Sequence, residues 1–103
     1  MSEISKAAKN DLYTHLREAA IVIDEARHAT ELTKDDDDFI FATGIVRGLR
    51  RAVEASEDRR MVIWRVEEFY TVLGLIGGKA TDAVHAARRL IADAHHRLAS
   101  GPE

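Results

Sequence analysis

Cysteine is absent from this 103-residue chain, and its single proline is Pro102. Without cysteine there is no disulfide, no thiolate nucleophile and no cysteine-ligated zinc or iron–sulfur site, so a secreted disulfide scaffold is excluded. Proline removes a backbone donor and clashes one turn back; its absence over residues 2–100 leaves helix propagation open almost everywhere. Long hydrophobic runs are missing too. The longest apolar stretch, Val72 to Gly78, is far short of a membrane span, and the opening MSEISKAAKNDL holds no apolar run of signal-peptide length. These absences predict a cytoplasmic protein with no membrane partner. Aromatic residues make up only 6%, and lysine is scarce beside arginine.

What is present is 46% apolar residues, rich in alanine, leucine, isoleucine and valine. At this length they suit one core in one domain over residues 1–103, built from closely spaced helices. The net charge of −3 hides an asymmetry: residues 1–38 carry ten acidic and five basic side chains, residues 39–103 eight acidic and ten basic. The plain reading is surface complementarity between neighbouring helices, worth a few tenths of a kcal/mol for each exposed pair.

Apolar residues recur at helical spacing throughout. A first helix is expected from residue 2 or 3 to about residue 32, with Ser2 and Ser5 available as caps and Leu12, Leu16, Ala19, Ile23, Ala26 and Thr30 facing the core. Ile21 and Leu32 fall on its other side, which implies a cover there. Thr33 to Asp38, TKDDDD, marks a boundary, because aspartates compete for backbone donors inside a helix yet favour its first turn, where the dipole is positive. An EF-hand starting at Asp35 fails: Phe39 and Phe41 fall at ligand positions, the sharp turn has no glycine, and Val46 stands where a bidentate glutamate belongs. A second helix over about 38–55 turns Phe39, Ala42, Ile45, Val46, Leu49 and Val53 inward. Gly44, Gly48, Ala52 and Ala55 form a stripe of small residues. Two readings of the glycines stand: close approach of another backbone, or simple tolerance of a cost of up to about 1 kcal/mol each.

Ser56 to Arg60 holds no apolar residue and offers a helix start, which predicts a break. The rival is one fused helix over 38–76, roughly 58 Å long, which would imply an extended dimer. The third helix, about 57–76, places Val62, Ile63, Val66, Phe69, Tyr70 and Leu73 on one face and Met61, Trp64, Val72 and Leu75 on nearly the opposite one. A helix apolar on two sides belongs in an interior or at an interface, and a four-helix domain surrounds no helix fully. Gly77-Gly78 is expected to end it with a left-handed glycine. A fourth helix opens at Thr81-Asp82, turns Ala83, Ala87, Leu90, Ile91, Ala94 and Leu98 inward and stops before Gly101. The fold class is therefore all-α, an antiparallel bundle of about four helices.

No spacing reaches a catalytic or nucleotide-binding signature, and no cofactor is implied. Glu68, between Trp64 and Val72, is either buried with a raised pKa or at a rim reaching water. Gly74, Gly77 and Gly78 close a helix instead of following a strand, so they cradle no phosphate. Glu25-x-x-His28, Asp82-x-x-His85 and Asp93-x-x-His96 resemble the carboxylate–histidine pairs of metal-binding bundles, but they lie off the core stripes, whereas bundle ligands project inward. Two functions in different classes remain. The first is a non-enzymatic helical interaction module, a self-associating adaptor or regulator that meets a second copy or another protein through Met61, Trp64, Val72 and Leu75, with Gly44 and Gly48. The second is a nucleic-acid-binding regulator using Arg47, Arg50 and Arg51, which the acidic balance, with pI about 5.9, disfavours. A metal-binding bundle ranks third. Dialysis against a weak chelator is expected to leave no stoichiometric iron or zinc; metal retained through it, with a lower melting temperature once stripped, would contradict the off-core placement of these pairs.

Overall fold

The computed structural model describes residues 3–100. Four helices, α1 (Lys6–His28), α2 (Asp37–Glu54), α3 (Arg59–Leu73) and α4 (Thr81–Ser100), with one 3₁₀ turn at Gly78–Ala80, make 81% of that span helical. No strand occurs among the described residues; one antiparallel bridge pairs Glu3 with Asp58, and Ile4 N–H donates to Glu57 O at 2.9 Å.

Polar side chains set the helix ends. Ser5 Oγ accepts from Ala8 N–H at 3.1 Å and so starts α1 three residues inside the expected start; Ser2 lies outside the described residues. Thr33 hydroxyl donates to Arg27 O at 2.6 Å, and Arg27 Nε donates to Lys34 O at 2.6 Å, folding the chain back at the close of α1. That helix stops at His28, four residues before the expected end, and leaves Thr30 exposed. Of the four aspartates, Asp36 is the N-cap of α2, accepting from Asp38 N–H at 2.9 Å, while Asp37 and Asp38 occupy its positive first turn. Asp58 caps α3 in the same way, accepting from Arg60 N–H at 3.0 Å, so α2 and α3 are separate and the fused helix is ruled out. The end of α3 also departs from expectation. The helix closes at Leu73 with Gly74 as its cap, one turn before Gly77-Gly78. Gly78 does take positive φ, +66°, but within the turn that leads into α4. A Cβ there would lie 2.6 Å from Asp38 Oδ2, so the position needs glycine for space as well as conformation.

Each helix packs on its neighbours in sequence, and α4 closes back on α1 in the most extensive contact of the four. The start of α1 meets the α2–α3 turn through the Glu3–Asp58 bridge, and Arg59 donates to Leu98 O near the end of α4, so the helices run up and down. Alanines explain the close α1–α4 fit: Ala19 on α1 and Ala83, Ala87 and Ala94 on α4 are buried and let the two backbones approach. Leu12, Leu16, Ile23, Phe39, Leu49, Val53, Val62, Val66, Leu73 and Ile91 fill the centre. Ile63, Phe69, Tyr70 and Leu90 pack against that core while staying partly exposed. Thr43 is the one buried polar side chain among the described residues, and its hydroxyl donates to Phe39 O at 3.0 Å. Replacing Asp58 by Ala is expected to lower stability by about 1 kcal/mol, a fall in Tm of roughly 4–8 °C, in thermal unfolding; an unchanged Tm would contradict its role as the cap that separates α2 from α3.

Candidate interaction surface

Helix periodicity places Met61, Trp64 and Val72 on the flank of α3 away from its buried Val62, Val66 and Leu73, with Leu75 following in the turn beyond. They remain exposed in the folded chain: Met61 at 42%, Trp64 at 50%, Val72 at 39% and Leu75 at 81%. The structure adds a residue the sequence reading did not select. Phe41 is 60% exposed and shares the α3-side stripe of α2 with Gly44, Gly48 and Ala52.

The two stripes form the walls of one seam. A Cβ added at Gly48 would meet the Phe69 ring at 3.2 Å, which fixes the register of α2 against α3. Because the helices run antiparallel, Gly44 and Phe41, one and two turns toward the start of α2, come level with Val72 and Leu75. Of the two readings of the glycines, close approach finds no second backbone within this chain: Gly48 accommodates an aromatic side chain, and a Cβ at Gly44 would have nothing within 4 Å. Trp64 stands on the outer ridge, its ring covered on one side by Arg65 with the guanidinium 4.8 Å from the centroid. Arg65 also donates to Glu68 Oε1 at 3.0 Å. Glu68 is thus at the rim, half-exposed and paired.

The arginines picked out on α2 do not act as one row. Arg50 donates to Glu54 at 3.1 Å and stacks over Tyr13 at 5.2 Å from the ring centroid. Burial raises the Tyr13 phenol pKa, with Glu54 adding to the shift and Arg50 opposing it. Arg47 turns toward a cleft between α1 and α2, and Arg51 is exposed in the last turn of α2.

Histidine contacts follow other pairs than the i, i+3 ones. His28 Nδ1 lies 3.6 Å from Asp24, not Glu25. Asp82, His85 and Arg89 line a shallow surface depression. No cluster of three or more histidine, aspartate and glutamate side chains suited to a metal occurs among the described residues. Asp93 instead belongs to a clasp between α1 and α4. Arg97 donates to Asp11 through Nε at 3.1 Å and Nη2 at 3.0 Å, to Asp93 through Nη1 at 2.8 Å, and to His15 Nε2 at 2.7 Å. His15 Nδ1 lies 2.8 Å from Asp11 O. A second imidazole–carboxylate pair, His95 Nε2 and Glu67 Oε2 at 2.9 Å, closes one side of a cleft of about 340 Å³ between α3 and α4, floored by Val66 and Tyr70. The register that brings Arg97 to Asp11 and His15, and His95 to Glu67, is tertiary, and only the i, i+4 spacing of Asp11 with His15 and of Asp93 with Arg97 gave a local signal.

Comparison of the chain with protein-family models, curated proteins and solved structures finds no match. No helix is long and apolar enough to cross a membrane among the described residues.

The Arg97 hydrogen bond holds the Asp93 carboxyl below its usual range, with the Arg97 charge adding to it. A carboxyl lowered by folding stabilises above its unfolded pKa of about 3.9, and that contribution is lost as pH falls through the lower folded value. Asp93→Asn is therefore expected to melt below the parent at neutral pH and to converge with it at about pH 2. Melting curves separated by a constant gap across that range would contradict the ion-pair clasp.

Proposed function

We propose that the protein is a non-enzymatic helical interaction module that self-associates through the seam of α2 and α3, acting as an adaptor or regulator by presenting that face to a second copy. The observation that carries the reading is the apolar second flank of α3, Met61, Trp64, Val72 and Leu75, continued across the seam by Phe41. Burying such a patch contributes roughly 25 cal/mol for each Å² removed from water, several kcal/mol in all. A standard interface takes about 800 Å² from each partner, roughly an eighth of the 6318 Å² this chain exposes. The bare Gly44 supports close helix approach from outside, since nothing of its own chain fills the space. A two-fold arrangement sets the patch on itself, so one set of residues serves both chains, and the Arg65–Glu68 pair carries both signs of charge needed at a self-complementary rim.

The nucleic-acid reading has weaker support, because Arg50 is already paired with Glu54 and stacked on Tyr13. The test is sedimentation. The unaltered protein is expected to sediment as a dimer at concentrations of about tens of micromolar. The double variant Trp64→Ser with Leu75→Ser is expected to sediment as a monomer with its helical circular dichroism intact, since both side chains are exposed within one chain. A monomeric parent would overturn the proposal, as would a variant that stays dimeric.

A further inference from the structure

On the opposite flank of α2, a cleft of about 270 Å³ separates α1 from α2. Its floor is apolar, from Leu16, Ala20 and Val46, while Arg17 on α1 and Arg47 on α2 line it from both sides. Among the described residues neither arginine has a hydrogen bond, ion pair or ring contact, while the cleft's lining also includes one further cation, Arg50, and one carboxylate, Asp24. Arg50, at one end, is held by Glu54 and Tyr13; Asp24, at the other, lies 3.6 Å from His28 Nδ1. Two guanidinium groups across one cleft repel each other, and each presents a planar fork of donors suited to a carboxylate or phosphate. An anion between them replaces repulsion with charge-assisted hydrogen bonds.

We infer that this cleft binds a small organic anion, its carboxylate or phosphate clamped between Arg17 and Arg47 and its apolar body laid on Ala20, Ile21 and Val46. The volume, about 270 Å³, falls below the usual range for drug-sized ligands, roughly 300–1,000 Å³. A compact acid or phosphate monoester fits it. The exposed Ile21, which the sequence leaves on the wrong side of α1, then has a ligand to cover it. The inference is independent of self-association, since the α3 seam lies on the other flank of α2.

Benzoate and phenyl phosphate, with neutral benzamide as control, can be titrated into the isotopically labelled protein at low salt while backbone amide resonances are followed. Both anions, or the one whose head group the forks prefer, are expected to shift amides within 17–24 and 43–50 and to saturate below about 10 mM. The relative affinity of the two tells carboxylate from phosphate. Arg17→Gln and Arg47→Gln are each expected to weaken binding about tenfold with the helical spectrum unchanged. Benzamide shifting the same amides equally would overturn the anion clamp, and inorganic phosphate binding as tightly as phenyl phosphate would overturn the role of the apolar floor. Absence of saturable shifts with either organic anion overturns the site, and if mixed-sequence duplex DNA alone shifts these amides, the arginines belong to a nucleic-acid surface instead.

Discussion

In a ring of four helices each helix has two neighbours and one flank left outward, and on α3 that flank is apolar. The other helices bury a clear stripe each, and the large apolar side chains they leave exposed are fewer: Ile21 on α1, and Ile40 and Phe41 on α2. On α3 the inward stripe of Val62, Val66 and Leu73 is matched by Met61, Trp64 and Val72 outside. Folding alone leaves this second face in water, and the functional reading rests on that imbalance.

The two sides of the bundle are built differently. Between α1 and α4, alanines allow close packing, and Arg97 ties Asp11, Asp93 and His15 together across the joint. This side carries the closure of the ring. Between α2 and α3 the contact is an aromatic ring against a glycine, Phe69 on Gly48, with the bare Gly44 beside it and no ion pair across the seam among the described residues. Polar groups satisfy one joint of the bundle; at the other, apolar side chains and helix backbone face water. The charge asymmetry of the chain is only partly spent on such joints. Arg97 meets Asp11, in the acidic first part of the chain, as the sequence suggests, while Arg17 and Arg47 line their cleft from its two sides.

Much of this was legible because the interruptions are chemically distinct. Runs without apolar residues mark boundaries: TKDDDD did so clearly, Ser56 to Arg60 only against the rival of a fused helix, and a capping aspartate stands in each. The second face of α3 was visible as periodicity. Phe41 was missed, yet its signal was present: in Phe39-Ile40-Phe41 successive side chains diverge by about 100°, so the three cannot all enter the core. Ile4 was missed for a different reason. It precedes α1, and its burial comes from pairing of the 3–4 segment with the α2–α3 turn, a contact no local pattern encodes. The same holds for His15 with Arg97 and Glu67 with His95, where interhelical register decides which side chains meet.

Trp64 is the chain's sole tryptophan and reports directly on the outer face of α3. Within one chain it is half-exposed, at 50%. If that face closes on a second copy, its fluorescence emission shifts to shorter wavelength as protein concentration rises, and returns toward the water-exposed value on dilution, following the same midpoint as the sedimentation transition. Emission that stays at the exposed value from nanomolar to about hundred-micromolar protein would contradict the account.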